Sequence, residues 1–283
     1  VKDMATLLKG KPVVDNMGDD LRKRIAALKD AGVSPTLALV RMGERPDDLS
    51  YERTAKKRAE GLGLATKPYV LDDLAPQAAV QATLQSINYD KTVHGCLMFS
   101  FLDEKALCNM LSPEKDIDGI SLSSLAAVFT DANQGFPPCT AQACVEILDY
   151  YQVPISGKHV VVIGRSLVVG KPVSMMLLRR NASVTICHSR TENLPELCKT
   201  ADIVICAVGR ARAFGKEYFR AGQTVLDVGI NFDSHGTLCG DVNFDEVEPI
   251  VDAITPVPGG IGTVTTSVTM AHVVQAAERL SGK

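Results

Sequence analysis

The chain has 283 residues, of which 46% are hydrophobic and 22% charged, and its net charge at pH 7 is −3. This length and composition are enough for a full hydrophobic core in one or two domains. The chain lacks the long basic run of a protein that binds nucleic acid or a membrane surface, and no apolar run approaches the roughly 18 residues of a membrane span, so we expect a cytoplasmic protein with neither partner.

Apolar strand-like runs alternate with helix-length amphipathic stretches through the first half of the chain, a pattern typical of a parallel sheet covered by helices. In chain order, the pattern predicts a strand at 36–40, a helix at about 50–62, a strand near 68–71, a helix at about 76–87 and a buried strand at 95–99. A polar loop at 43–48 precedes the first helix, and a turn-rich loop lies at 113–119.

A connector at 150–157 separates this series from a second one. The second series is predicted to contain strands at 159–163, 183–187, 202–208, 224–228 and 253–255, then a last helix at about 265–280. We predict an α/β protein with two domains: an N-terminal α/β domain of residues 1–148 plus 262–283, onto which the last helix packs back, and a Rossmann-type parallel-sheet domain of residues 149–261.

The first strand of the second series runs into a turn that suits a pyrophosphate. It reaches Gly164, continues through Arg165 and Ser166, and meets Gly170 at the start of a helical run, with the spacing Gly-x-Ser-x-x-Val-Gly-x-Pro. The backbone N–H groups of such a turn and the positive end of the following helix attract phosphate groups. An ordinary glycine-bearing loop is the alternative, but four further strands at the spacing of a doubly wound sheet favour a dinucleotide site.

The next strand ends without the carboxylate that usually accepts hydrogen bonds from the ribose of NAD. It leads instead into Ser189 and Arg190. Together with Arg165, these side chains are suited to bind a 2′-phosphate through charge-assisted hydrogen bonds, so we predict NADP and keep NAD as the alternative. Arg190 as a solvated loop residue is the simpler interpretation of that position.

Cysteine and histidine are dispersed along the chain. None of the eight cysteines forms a Cys-x-x-Cys pair, and the five histidines are equally scattered. Metal sites need clustered ligands, so we predict none. The thiols are expected to be reduced and mostly buried, and we assign no histidine a chemical role.

Several further motifs are specific in combination with the turn at 164–172. They are the helix that opens with Tyr51 and the segments 116–119, 138–140, 227–231, 240–242 and 255–262. With these motifs, essentially residues 5–280 resemble the methylenetetrahydrofolate dehydrogenase/cyclohydrolase family. The resemblance implies a folate-side domain and a dinucleotide domain with the folate cleft between them, a tetrahydrofolate derivative as substrate, and usually a homodimer.

The resemblance also implies roles for individual residues, with Tyr51 and Asp118 as the catalytic pair. Tyr51 would stack along the pterin and aminobenzoyl part of the folate, and Asp118 would pair with the donor edge of the pterin. A turn cap before Gly119 is the alternative role of Asp118. The implied contacts are Tyr51, Asp118, Pro258, Gly259, Gly260 and Gly262 for the folate, and Gly164, Arg165, Ser166, Gly170, Ser189, Arg190 and Ile230 for the cofactor.

The sequence departs from the family where the cyclohydrolase activity resides. The family has a lysine four residues after the tyrosine, on the same helical face, and here that position is Ala55. The family glutamine that supports the lysine is replaced by Phe99, and Phe101 follows two residues later. Lys56 lies about 100° round the helix from Ala55 and should point away from the face that carries Tyr51.

We therefore predict NADP-dependent oxidation of 5,10-methylenetetrahydrofolate to 5,10-methenyltetrahydrofolate, with cyclohydrolase activity absent or very weak. The first alternative is the bifunctional enzyme, in which Lys56 or Lys57 replaces the missing lysine. The second is a non-catalytic protein that binds folate or a dinucleotide.

Overall fold

A computed structural model of the chain describes residues 4–99 and 104–283. The chain divides into two compact units. The three-stranded unit, named for its sheet, comprises Asn16–Cys139 and Thr266–Lys283, and the six-stranded unit comprises Val1–Asp15 and Thr140–Thr265. The predicted domains, 1–148 plus 262–283 and 149–261, stay a prediction about functional boundaries.

The regular elements of the described residues are as follows. The strands are β1 (Thr6–Leu7), β2 (Thr36–Met42), β3 (Ala65–Leu71), β4 (Gly95–Phe99), β5 (His159–Ile163), β6 (Ser183–Cys187), β7 (Ile203–Cys206), β8 (Thr224–Asp227), β9 (Asn231–Phe232), β10 (Leu238–Cys239) and β11 (Ala253–Ile254). The helices are α1 (Gly10–Asp30), α2 (Pro46–Leu62), α3 (Gln77–Tyr89), α4 (Glu104–Cys108), α5 (Leu122–Thr130), α6 (Cys139–Tyr150), α7 (Gly170–Arg179), α8 (Leu194–Lys199), α9 (Phe244–Val247) and α10 (Ile261–Ser281).

The three-stranded unit has a parallel sheet in the order β3-β2-β4 with both faces covered. Alternate side chains of a strand point to opposite faces. Leu37 and Leu39 of β2 therefore pack in one apolar cluster with residues of α1, α2 and α10, whereas Ala38 and Val40 pack in a second cluster with residues of α3. The same alternation in β4 places Phe99 in the first cluster, with α2.

The six-stranded unit has a parallel sheet in the order β1-β11-β8-β7-β5-β6, and β9 and β10 form a separate antiparallel pair. The chain passes from β5 through α7 to β6 on one side, then through α8 to β7 on the other side of β5. In α/β sheets, ligands bind beyond the carboxyl ends of the strands where the strand order reverses in this way. The turn that follows Ile163 lies at that point.

This architecture is the predicted one, with differences at the ends of elements. Helix α2 begins at Pro46 rather than near residue 50, because proline suits the first helical turn and the acids Asp47 and Asp48 favour its positive end. Helix α10 begins at Ile261 rather than near residue 265. The sequence pattern predicts neither α1 nor α6. Within residues 4–99 and 104–283, no helix combines the length and the hydropathy needed to cross a bilayer.

Candidate active site

Tyr51, Ala55 and Phe99 lie together in the three-stranded unit. Tyr51 and Ala55 are one turn apart on α2, and the ring of Phe99 lies 5.4 Å from the ring of Tyr51 in an edge-to-face arrangement. Ala55 and Phe99 are buried in the same apolar cluster, whereas Tyr51 keeps 43% of its surface exposed. Phe101 lies outside the described residues. Position 55 therefore belongs to the apolar core beneath the exposed tyrosine.

Lys56 is held by an ion pair on another face of α2. Its Nζ lies 2.5 Å from Oε1 of Glu52, whose Oε2 accepts a hydrogen bond of 2.6 Å from Nε of Arg41. Burial opposes ionisation of Glu52, but the hydrogen bonds from Lys56 and Arg41 outweigh it and lower the pKa of Glu52. Glu52 lies about 100° round the helix from Tyr51, and Lys56 lies about 100° round it from Ala55. This ion pair therefore keeps the amine away from the Tyr51 face.

Asp118 lies close enough to Tyr51 for its charge to act on the phenol. Partial burial of the phenol, and then the negative charge of Asp118, raise the pKa of Tyr51 to about 12. The phenol is therefore neutral throughout the physiological range. A neutral aromatic ring beside a carboxylate can bind a flat heterocycle that carries hydrogen-bond donors.

The loop that carries Asp118 is fixed on both sides of it. Asp116 is buried, and its Oδ2 accepts hydrogen bonds from N of Ser121 at 3.0 Å and from Oγ of Ser124 at 2.8 Å. Gly119 has a φ of +68°, and a Cβ there would overlap the carbonyl oxygen of Phe136, so only glycine fits. Asp116 thus ties this loop to the start of α5, and Asp118 is half-buried.

The turn after β5 has the features of a phosphate-binding turn. Gly164 has a φ of +130°, and a Cβ there would overlap the carbonyl oxygen of Ala207. Oγ of Ser166 accepts a hydrogen bond of 3.0 Å from N of Val169. Val169 gives no side-chain cap to α7, which begins at Gly170, and residues 165–168 are exposed. An exposed turn that leads into the positive end of a helix fits a pyrophosphate.

Arg165, Ser189 and Arg190 lie at the edge of the six-stranded sheet that the carboxyl ends of its strands form. Strands β5 and β6 are parallel neighbours, with Ile163 opposite Cys187, so the residues that follow both strands leave the sheet at the same edge. All three side chains are exposed there. The chain has no acidic residue between 188 and 191. This edge is therefore basic and open to an anionic group.

Ile230 and the loop 258–262 line one pocket of about 220 Å³ in the six-stranded unit. Pro258, Gly259, Gly260 and Gly262 are expected to contact the folate, and Ile230 is expected to contact the cofactor. The structure brings these two groups of residues to a single pocket.

A buried carboxylate that the sequence analysis gives no role, Asp241, organises the loops near this pocket. Its Oδ2 accepts hydrogen bonds from N of Val208 at 2.7 Å and N of Gly209 at 3.2 Å. Its Oδ1 accepts hydrogen bonds from N of Arg210 at 3.0 Å and Nδ2 of Asn231 at 2.9 Å. One carboxylate thus holds the loop that follows β7 and the residue next to Ile230.

Asp227 at the end of β8 supports Asp241 in turn. Its Oδ1 accepts hydrogen bonds from N of Gly229 at 3.0 Å and N of Asp241 at 2.9 Å, and its Oδ2 accepts one from N of Val242 at 3.0 Å. Burial raises the pKa of Asp227 to about 7 despite these hydrogen bonds. The sequence signal for the structural role of Asp227 is an acid at the end of an apolar strand, without a basic neighbour in the sequence.

The cysteines and histidines form no metal centre in the part of the chain that the structure describes. Among residues 4–99 and 104–283, no three His, Cys, Asp or Glu side chains come close enough together to hold a metal ion. All eight cysteines lie in this part, and they are buried and in no disulfide bond, as their positions within apolar runs predict.

Both halves of the chain match descriptions of one protein family. Residues 8–118 match the description "Tetrahydrofolate dehydrogenase/cyclohydrolase, catalytic domain". Residues 138–281 match "Tetrahydrofolate dehydrogenase/cyclohydrolase, NAD(P)-binding domain".

Known proteins are similar to the chain over nearly its whole length. Bifunctional protein FolD of Carboxydothermus hydrogenoformans is 50% identical over 99% of both chains, and Bifunctional protein FolD 1 of Desulfitobacterium hafniense is 47% identical over 96% of this chain and 99% of its own. The bifunctional FolD structure from Campylobacter jejuni has a TM-score of 0.92 and 31% identity, covering 97% of this chain and 99% of its own. The FolD structure from Trypanosoma brucei, complexed with NADP cofactor and inhibitor, has a TM-score of 0.88 and 30% identity, covering 98% of both chains.

The matches confirm the resemblance drawn from the motifs and the predicted α/β fold of two domains, one of them an NAD(P)-binding domain. The chain belongs to the tetrahydrofolate dehydrogenase/cyclohydrolase family.

Proposed function

We propose that the protein catalyses the NADP-dependent oxidation of 5,10-methylenetetrahydrofolate to 5,10-methenyltetrahydrofolate. The observation that supports this proposal best is the pocket shared by Ile230 and the loop 258–262, because a hydride donor and a hydride acceptor must meet in one place. Family membership supports the substrate class. The exposed turn between Gly164 and α7 supports the dinucleotide.

The residues of the chain bind and align the folate in this proposal. A bound nicotinamide supplies the hydride acceptor. Asp118 accepts hydrogen bonds from the donor edge of the pterin, and the ring of Tyr51 stacks along the substrate. Tyr51 stays protonated because its pKa is about 12, so it adds no negative charge to that of Asp118. Hydride transfer moves no proton to or from the protein, so alignment is the main requirement.

We propose NADP rather than NAD because of the basic edge formed by Arg165, Ser189 and Arg190. Two guanidinium groups and a hydroxyl can donate several hydrogen bonds to the 2′-phosphate that distinguishes NADP. The structure from Trypanosoma brucei contains NADP, which supports the same choice.

Hydrolysis of the methenyl product is the second candidate activity. Relatives that are 50% and 47% identical are named bifunctional, which supports this activity better than the loss that Ala55 and Phe99 predict. In this chain the hydrolysis would proceed without an amine at position 55, because Ala55 lies in the apolar core and Lys56 is bound to Glu52. Lys57 is exposed.

One spectrophotometric experiment tests both activities. The purified protein is mixed with 5,10-methylenetetrahydrofolate and NADP or NAD, and the absorbance of the methenyl product and of the reduced nicotinamide is followed. Once oxidation stops, the decay of the methenyl absorbance is compared with a protein-free control. Absence of nicotinamide reduction with either cofactor would contradict the dehydrogenase proposal and favour a non-catalytic binding protein. Decay at the protein-free rate would contradict the hydrolase activity.

We further propose that the protein is a homodimer, as the family resemblance implies. Strand β6 is an edge strand of the six-stranded sheet, and Ile186 within it is exposed. An exposed edge strand favours pairing with another chain. Size-exclusion chromatography with light scattering should give twice the chain mass, and a mass of one chain would contradict the proposal.

A further inference from the structure

A buried cysteine and a buried histidine meet behind the loop that carries Asp118. His272 on α10 is 1% exposed, and Cys139 at the start of α6 is 5% exposed. Nδ1 of His272 lies 2.7 Å from the carbonyl oxygen of Ile117, and Sγ of Cys139 lies 3.3 Å from the same oxygen. Sγ is 3.6 Å from Nδ1 of His272 and 4.0 Å from Oδ1 of Asp118. Two side chains thus converge on the peptide group that joins Ile117 to Asp118.

Such a pair resembles a nucleophilic Cys–His dyad, but its surroundings keep both groups neutral. Burial, and then the charge of Asp118, raise the pKa of the Cys139 thiol well above its ordinary value. Burial lowers the pKa of His272 to about 4. Near neutral pH the thiol therefore keeps its proton, and the imidazole carries a single N–H. Both groups act as hydrogen-bond donors rather than as a base and a nucleophile.

The neutral imidazole has a defined orientation. A carbonyl oxygen can only accept, so the short contact with Ile117 places the proton of His272 on Nδ1. The ring of Phe136 lies 4.8 Å from the imidazole at an angle of 31°, which restricts its rotation. Oγ1 of Thr269 donates a hydrogen bond of 3.5 Å to Sγ of Cys139, which leaves the S–H proton for the oxygen of Ile117.

We propose that His272 and Cys139 are positioning residues for the folate: their donors hold the carbonyl group of Ile117 and so fix the backbone from which the Asp118 carboxylate projects. This inference rests on the proposed role of Asp118 as the group that binds the pterin. Asp116 fixes the loop before Asp118 and Gly119 turns it afterwards, and the peptide between 117 and 118 is a further point of support.

The test compares His272→Leu, which removes the donor, with His272→Asn, which keeps an N–H donor at about the distance of Nδ1 from the backbone. His94→Asn is the matched control, because His94 is also buried in the three-stranded unit but accepts a hydrogen bond from N of Thr36. Tetrahydrofolate affinity is measured by calorimetry, and KM values for 5,10-methylenetetrahydrofolate and NADP are measured by steady-state kinetics. Calorimetry measures binding without turnover. If the protein does not oxidise the folate, its affinity for tetrahydrofolate still tests the positioning proposal.

We expect His272→Leu to weaken tetrahydrofolate binding and raise the KM of the folate substrate by about tenfold, the effect of one lost hydrogen bond, with the KM of NADP changed less than about twofold. His272→Asn should restore most of the affinity. Cys139→Ala should have a smaller effect of the same kind, because a thiol is a weak donor, and it provides the test if His272→Leu does not fold. An equal rise in both KM values, no rescue by asparagine, or the same loss in His94→Asn would overturn the proposal.

Discussion

Replacement of Asp241 by asparagine tests whether one carboxylate holds the loop that follows β7 and the residue next to Ile230. Asp241→Asn keeps the size of the side chain but converts one carboxylate oxygen into an NH₂ group. In the folded protein, each oxygen accepts two hydrogen bonds, from N of Val208 and Gly209 or from N of Arg210 and Nδ2 of Asn231. Whichever way the amide lies, two of these four donors face another donor.

The expected loss of stability follows from these contacts. A hydrogen bond to a charged group contributes about 1.5–3 kcal/mol, so two lost bonds correspond to about 3–6 kcal/mol. A neutral amide is easier to bury than a carboxylate, which offsets part of the loss and leaves about 2–4 kcal/mol. Because β7 pairs with β5 up to Cys206 and Ile163, the loop that follows β7 lies beside the turn at Gly164. Its release should also raise the KM for NADP.

Urea denaturation of the parent and the variant measures the change in the free energy of unfolding, and steady-state kinetics gives the KM for NADP. Asp252→Asn is the matched control, because the exposed Asp252 accepts a hydrogen bond of 2.9 Å from N of Gly222. It should change the free energy of unfolding by less than about 1 kcal/mol. If Asp241→Asn changes stability no more than this control and leaves the KM for NADP unaltered, the carboxylate does not hold the loop.

Three further changes test other parts of the site. Arg165→Ala should raise the KM for NADP far more than that for NAD in steady-state kinetics, and equal increases would remove the argument for a 2′-phosphate site. Burial raises the pKa of Asp227 from 3.8 to about 7, so the folded protein binds more protons than the unfolded chain between these pH values. The free energy of unfolding should therefore fall as pH rises through this window. Asp227→Asn should reduce the difference in the free energy of unfolding between urea titrations at pH 5 and pH 7.5. Ala55→Lys with Phe99→Gln should accelerate the decay of methenyl absorbance more than Ala55→Lys alone, whose amine would meet an aromatic ring.

Five strands of the six-stranded sheet, β5 to β8 and β11, are predicted from the sequence, whereas β1 is not. A parallel strand buried on both faces reads as a continuous apolar run, and β5 has the predicted limits. The edge strand β6 also has its predicted limits. Helix α1 was not predicted because Gly10, Pro12 and Gly18 interrupt a mostly polar stretch. Proline is tolerated there because it lies in the first turn, and the helix buries Leu21 and Ile25 against the core.

Long-range hydrogen bonds set the limit for the site. The sequence shows acids at 116 and 118, but only the structure shows that Asp116 accepts hydrogen bonds from Ser121 and Ser124. Likewise, the pairing of His272 with Ile117 joins residues 155 positions apart, and no local pattern predicts it. The phosphate-binding turn was predictable because its determinants, the glycines and the helix start, are local.

The reactivity of the eight buried thiols also measures local unfolding of the protein without an added probe. Three of them lie in the three-stranded unit and five in the six-stranded unit. Burial raises the pKa of Cys144 and Cys198 to about 12, so a thiolate that can react with an alkylating reagent forms only when the surrounding structure opens. The order in which the cysteines are labelled in dilute denaturant, followed by mass spectrometry, would therefore rank the opening free energies of the two units in the unmodified chain.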